Sequence, residues 1–257
     1  MSKFFTTFVA DFEIIMDKIS KSQVKLVKSL QLKKFRDELG LFVAEGRKCV
    51  DELSKSFELV HRYEEGINAS RTEIEQMSGL RTPQGVIAVF QKKPIEDLRL
   101  QIEDLVLALD GIQDPGNLGT IIRTCDWFGV HDIYCSQDTA DCYNPKVVQA
   151  TMGALARVRI HYVDMPSMLS AFRSQHSDMP IIGTLLEGRD MYEAPLPERG
   201  IIVMGNEGNG ISQEVRKLIT HPIRIPSYPK NAETSESLNV SIATAIVLAE
   251  FRRKSCV

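Results

Sequence analysis

Cysteine is the first thing this sequence has little of, and what there is forms no pattern. The 257 residues contain five, Cys49, Cys125, Cys135, Cys142 and Cys256, an odd number at irregular spacings. No Cys-x-x-Cys pair and no Cys/His cluster offers the spacing of a zinc site, so no metal is expected. Reduced thiols in a cytoplasmic protein are the simplest reading. Long apolar runs are also missing: none reaches the ~18 residues that a membrane helix needs, and no membrane association is expected. The first residues, MSKFFTTFVADFEIIMDK, are apolar in places, but Asp11 and Glu13 interrupt them and no small-residue cleavage site follows. They do not read as a signal peptide. Residues 1–17 are expected to be a ragged extension or a short amphipathic helix, with Met16 as an alternative start. An excess of one charge is absent too. The net charge of −3 does not advertise a nucleic-acid partner, which leaves that role to a local basic patch. There is no internal repeat and no low-complexity segment. What remains, 43% hydrophobic and 25% charged residues, is an ordinary globular composition with enough chain for a sizeable core.

The chain divides near Gln91-Lys92-Lys93-Pro94, a charged stretch ending in proline that reads as a linker. Residues 18–94 form a first unit. Apolar residues at Val24, Val27, Leu30 and Phe35 have roughly helical spacing over 22–39, and Gly40 stops the helix. Leu41-Phe42-Val43 and residues 85–90 read as strands. The helix and the turn after it are locally basic, with Lys21, Lys25, Lys28, Lys33, Lys34, Arg36, Arg47 and Lys48 against Asp37, Glu38 and Glu45. Such a face is either simply solvated or a surface for phosphates, where cations gain from counterion release.

Residues 99–257 form the second unit. Strand patterns at 105–109, 132–135, 158–162, 181–185, 201–204 and 223–226 alternate with helical ones at 117–128, 144–153, 166–174, 211–219 and 237–253. This alternation predicts an α/β architecture with a mainly parallel sheet, whose ligands gather at the carboxyl ends of the strands. Three loops stand out. Asp114-Pro-Gly-Asn117 turns out of a strand into a helix that carries Gly119 and Arg123, with Asn117 a good N-cap. Met204-Gly-Asn-Glu-Gly-Asn-Gly-Ile-Ser212 sets three glycines after an apolar strand, which permits close backbone approach to a ligand. Its order is GxxGxG, and it falls late in its unit, so it is no dinucleotide fingerprint; no Gly-Lys-Ser/Thr follows, so it is no P-loop. Ile225-Pro226 and then Ser237-Leu-Asn-Val-Ser241 lead from a strand to a helix of small residues. Taken singly, each loop also reads as a plain turn or capped helix.

In this order the three segments resemble the three motifs of the SpoU/TrmH methyltransferases, over about residues 99 to 253. Lys33 to Lys48 and Pro83-Gln-Gly-Val86 look like the RNA-binding domain that precedes the catalytic domain in several ribosomal RNA members. The chain departs from the pattern at Asp114, where some members carry Asn, and in a polar stretch, 229–236, that is longer than a minimal third motif. The resemblance implies a trefoil-knotted α/β domain, a rare exception to unknotted chains, preceded by a smaller α/β domain that binds RNA. It implies transfer of a methyl group from S-adenosylmethionine to a ribose 2′-hydroxyl, in ribosomal RNA rather than transfer RNA. It places the cofactor against Met204, Gly205, Ile225, Leu238 and Asn239, and catalysis on Arg123, Asn117, Glu207, Ser237 and Asn239, with Glu207 accepting from Arg123 or from the ribose. RNA contacts are expected at Lys33, Arg36, Arg47 and Lys48, and a homodimer is expected through the knotted domain. For Asn117 and Ser237 a capping role competes with a catalytic one. The rivals are a transfer-RNA ribose methyltransferase, a base methyltransferase, a nucleotide-dependent enzyme of Rossmann type, which the missing fingerprint disfavours, and a non-catalytic RNA-binding scaffold of the same fold.

Overall fold

The computed structural model describes residues 19–94, 102–229 and 237–255. The expected extension over 1–17, Cys256 and most of the polar stretch before the last helix lie outside them.

The first unit contains α1 (Lys21–Ser29), α2 (Lys33–Leu39), β1 (Leu41–Glu45), α3 (Arg47–Leu53), β2 (Leu59–Glu64), α4 (Arg71–Met77) and β3 (Val86–Gln91). Its sheet has the antiparallel order β1-β3-β2. A capping box starts α1: the Gln23 amide donates to the Ser20 hydroxyl at 3.2 Å, and the Ser20 amide to the Gln23 side chain at 2.8 Å. The single helix expected over 22–39 is broken into α1 and α2, with Leu32 extended between them. The break frees carbonyls, and Arg36 satisfies two of them by donating to Leu30 O and Gln31 O, each at 2.9 Å. Gly40 ends α2 in the left-handed region at φ 65°, as the sequence predicts.

The second unit contains β4 (Leu105–Asp110), α5 (Pro115–Trp127), β5 (Asp132–Ser136), α6 (Pro145–Thr151), β6 (Arg159–Val163), α7 (Met165–Gln175), β7 (Ile181–Asp190), β8 (Gly200–Gly205), α8 (Gln213–Arg216), β9 (His221–Arg224) and α9 (Val240–Ser255). All six strands are parallel, in the order β6-β5-β4-β8-β7-β9. The central strand β4 is buried along its whole length, and this explains why it reads as a continuous apolar run rather than an alternating one. Because β4 and β8 are neighbours in register from Leu105↔Gly200 to Asp110↔Gly205, the loops that leave them emerge side by side.

The two units share one hydrophobic core. Phe42, Val50, Phe57 and Phe90 of the first pack in the same cluster as Leu107, Ile122 and Val148 of the second. Tyr143, from the loop before α6, joins the aromatic group, with ring centroids 4.8 Å from Phe42 and 6.3 Å from Phe57. Polar contacts flank this seam: Arg36 donates twice to Asp141, at 2.7 and 3.1 Å, and Arg157 reaches Glu52 at 2.6 Å and Asp126 at 2.8 Å. Among the described residues no helix is long and apolar enough to cross a membrane.

Candidate active site

The loop after β4 is held from behind. The Gly111 amide donates to the Ser136 hydroxyl at 2.8 Å, and the Ile112 amide to Thr139 at 3.3 Å. Gly111 adopts φ 76°, a conformation that glycine takes without steric cost. Asp114 then caps α5, accepting from the Asn117 amide at 2.8 Å, with Pro115 in the first turn. This corrects the reading of Asn117 as the cap. Asn117 sits inside the first turn, so its side chain is released for other partners.

Those partners are the other two motifs. The Asn117 side-chain amide donates to the Glu207 carboxylate, and the Asn239 side-chain amide donates to Asn117 Oδ1 at 2.9 Å. Asn239 Oδ1 in turn accepts from the Ser241 amide at 3.0 Å and the Ile242 amide at 3.3 Å, which caps α9. The direction of this relay is forced. An ionised carboxylate only accepts and backbone amides only donate, so the two asparagines between them have one allowed orientation each. The helix begins at Val240, not at Ser237, and Ser237 is exposed and makes no hydrogen bond among the described residues. The capping reading therefore falls on Asn239.

Asn206 is a member of the site that the sequence reading passed over. Its side chain donates to Gly111 O at 2.7 Å and accepts from the Gly208 and Asn209 amides at 2.8 and 3.1 Å. It shapes the loop that presents Glu207 and ties it to the loop after β4. Asp110 helps, accepting from the Ser212 amide at 2.7 Å. The signal was available: a short amide side chain between two glycine-bearing segments is a turn former that bonds its own backbone two residues on.

Gly205 lies against the backbone of Gly210 and Ile211, where a Cβ would collide. Gly205 ends β8 and Ile225 follows β9, at the carboxyl ends of strands where ligands gather, while Leu238 lies just before α9. Leu238 is an apolar side chain left 46% exposed, and Ile225 is half-buried. Met204, expected as a wall, is 2% exposed, and its sulfur accepts from the Thr184 hydroxyl at 3.7 Å. It belongs to the core and offers only its backbone. A nucleoside with one cationic centre fits this set, which among the described residues offers backbone groups, apolar side chains and the Glu207 carboxylate. Among the described residues no cluster of His, Cys, Asp or Glu resembles a metal site.

Arg123 stands apart. It is exposed, has no hydrogen bond or ion pair among the described residues, and lies six residues beyond Asn117, about 9 Å along the helix axis. The expected Glu207–Arg123 bond is not made, and Glu207 accepts from Asn117 instead. The expected RNA contacts also separate. Lys48 is exposed and unpaired among the described residues. Lys33 is paired with Asp37 at 2.6 Å, and Arg47 with Glu64. Arg36 is only 1% exposed and committed to Asp141 and two carbonyls. Its assignment to RNA is corrected: a buried guanidinium with four of its five N–H groups bonded within the protein is not presented to a phosphate.

Residues 104–249 match the SpoU rRNA Methylase family, and residues 21–88 match the MRM3-like substrate binding domain. The chain belongs to the SpoU methylase family. It is 28% identical to the 23S rRNA (guanosine(2553)-2′-O)-methyltransferase RlmP of Bacillus subtilis over 92% of its length and 98% of that protein. A TrmH-family RNA methyltransferase from Porphyromonas gingivalis superposes with a TM-score of 0.83 at 38% identity, covering 92% of this chain and 99% of that one. An AdoMet-bound rRNA methyltransferase from Sinorhizobium meliloti gives 0.79 at 29% identity, covering 91% and 96%. The SpoU/TrmH resemblance read from the three loops is thereby established, as is the α/β fold with its parallel sheet.

Proposed function

We propose that this protein transfers a methyl group from S-adenosylmethionine to a ribose 2′-hydroxyl of ribosomal RNA. The observation that carries the reading is the relay Asn239–Asn117–Glu207, which joins three segments distant in sequence at the carboxyl edge of the sheet. The relatives named as ribosomal RNA 2′-O-methyltransferases and the match to a substrate-binding domain support the choice of RNA.

When bound, S-adenosylmethionine supplies an electrophilic methyl carbon without a metal. Backbone groups of Gly205, Ile225 and Leu238 hold the nucleoside, and a knot formed by the loop after β8 and the segment entering α9 makes its pocket. Asn117 and Asn239, fixed by their mutual bond, orient the ribose or the cofactor carboxylate, and Glu207 accepts from the sugar with the lone pairs that Asn117 leaves free. Ser237 is a further donor. Arginine stays protonated, so Arg123 is not the base. It grips the substrate phosphate or stabilises the developing alkoxide, while a phosphate oxygen or water takes the proton. The exposed stripe Thr120, Arg123, Trp127 on α5 runs beside α9, and a second copy packed there brings Arg123 to its partner's cofactor. Lysines Lys21, Lys25 and Lys28 face solvent along α1 and join Lys48 in contacting phosphates.

Calorimetric titration with S-adenosylmethionine tests the reading. Saturable binding, weakened in Asn239→Ala and Leu238→Arg, supports it. Absence of binding both alone and with unmodified ribosomal RNA would leave only the non-catalytic scaffold.

A further inference from the structure

Between the two units, next to the loop that leads into α5, lies a cavity of about 260 Å³. Gln31, Glu45 and Gly79 line it from the first unit, and Pro115, Lys146 and Gln149 from the second. Pro115 is two residues from Asn117, so the helix that carries the relay's Asn117 also forms part of the cavity wall, while none of the relay's side chains line it.

Two polar groups in it are incompletely used. The Gln31 side-chain nitrogen is buried and has no hydrogen-bond partner among the described residues, which costs free energy unless a ligand supplies an acceptor. Glu45 is 5% exposed, and its two carboxylate oxygens accept one bond each, from the Ser78 hydroxyl at 2.5 Å and the Gly79 amide at 2.7 Å. Each oxygen retains a second lone pair. The two groups are adjacent, because both adjoin Gly79: its amide bonds Glu45, and a Cβ on it would lie 2.6 Å from Gln31 Oε1 and 2.8 Å from Nε2. The missing side chain at Gly79 makes room for the amide. Burial pushes the Glu45 carboxyl above its ordinary value, against the Ser78 and Gly79 bonds that lower it, and further donors would relieve that burial.

We propose that this cavity takes an unstacked guanine base of the RNA substrate, read on its Watson–Crick edge; this rests on RNA being the substrate, as proposed above. Guanine places one acceptor, O6, beside two parallel donors, N1–H and N2–H. The Gln31 amide donates to O6, and the two free lone pairs of Glu45 accept N1–H and N2–H. Adenine and cytosine also pair an acceptor with a donor group, but they offer no second donor position for the carboxylate, and uracil offers one N–H between two acceptors. Lys146 is exposed at the rim and meets the phosphate of the bound nucleotide. Reading single-stranded bases by such edges is the usual route to sequence recognition in RNA.

The test measures fluorescence anisotropy of the full chain with short single-stranded RNAs that differ only in one central guanosine, inosine or adenosine. S-adenosylmethionine affinity is measured on the same preparations. We expect the guanosine RNA to bind roughly ten-fold tighter than the adenosine RNA, with inosine, which lacks N2–H, between them. Gln31→Leu, Glu45→Gln and Gly79→Ala should each erase the preference while leaving S-adenosylmethionine affinity and adenosine-RNA affinity unchanged. Gly79→Ala pushes the Gln31 amide out of place without removing either polar group, so the test survives if Glu45→Gln does not fold. Equal affinity for the three RNAs in the unaltered chain, or a preference that persists in the variants, overturns the base pocket alone. A chain that binds neither S-adenosylmethionine nor RNA overturns the methyltransferase reading and the pocket with it.

Discussion

At the scale of single residues, the site depends on amides that have one permitted orientation. Asn117 is the middle of the relay and touches both flanking motifs. Replacing it by Ala leaves Glu207 and Asn239 without their mutual tether. Stability should change by only about 1 kcal/mol, since the region is partly open to water. Methyl transfer to ribosomal RNA should fall roughly a hundred-fold, because small misplacements at a reacting centre are costly. Radiolabel transfer assays beside thermal melts separate the two effects. Arg36 is the opposite case, a residue whose role is cohesion. Arg36→Met strands the Asp141 carboxylate in a nearly closed seam, and urea unfolding should report a loss of about 3 kcal/mol. The double variant Arg36→Met/Asp141→Leu should recover part of that loss, since neither charge is then left unpaired.

At the scale of elements, the close crossing of α5 and α6 depends on Gly119. A Cβ there would lie 2.5 Å from Ala150 Cβ and 2.8 Å from Val147 O. Alanine gains about 1 kcal/mol in helix propensity, but the collision with backbone costs 1–3 kcal/mol or more. Gly119→Ala should therefore lower the melting temperature and also impair methyl transfer, since α5 carries Asn117. The edge pair β5–β6 holds a pH-sensitive contact. Burial, the largest single influence on Asp132, raises its pKa, but hydrogen bonds from His161 and Arg159 prevail and bring it to about 2. A depressed carboxylate contributes stability that is complete above its ordinary value of 3.8 and is lost as pH falls from there toward about 2. Melting temperature against pH should drop across that window, and Asp132→Asn should flatten this part of the profile.

Legibility in the sequence followed the same division. The strands of the parallel sheet were legible because burial on both faces writes them as apolar runs such as Leu105–Leu109. The capping box Ser70…Glu73 that opens α4 was equally visible and went unread. The break between α1 and α2 was hidden, because it is made by Arg36 bonding carbonyls and a carboxylate more than a hundred residues away. In the site, the three motifs could be found from residue type and order. Which asparagine caps which helix could not, since capping shifts with the exact start of a helix, and both starts differ from the expected ones.

At the scale of the whole molecule, the neighbouring helices α5 and α9 each carry a large apolar side chain open to solvent in a single copy. Trp127 is 85% exposed at the end of α5, and Ile242 is 55% exposed near the start of α9. If these helices form the proposed dimer face, Trp127→Glu should convert the protein to a monomer in sedimentation equilibrium and abolish methyl transfer, while the melting profile of the separate subunit stays cooperative. An active monomer would overturn the dimer. The seam between the two units has a different consequence. Phe42, Phe57, Phe90 and Tyr143 are packed into one aromatic cluster, so among the described residues the two units are joined by close packing across their seam. Such packing would let the protein act as a ruler. Under the proposed function, an RNA anchored on the first unit presents to Glu207 the sugar that lies at a set distance along its own fold, so length as well as sequence selects the target.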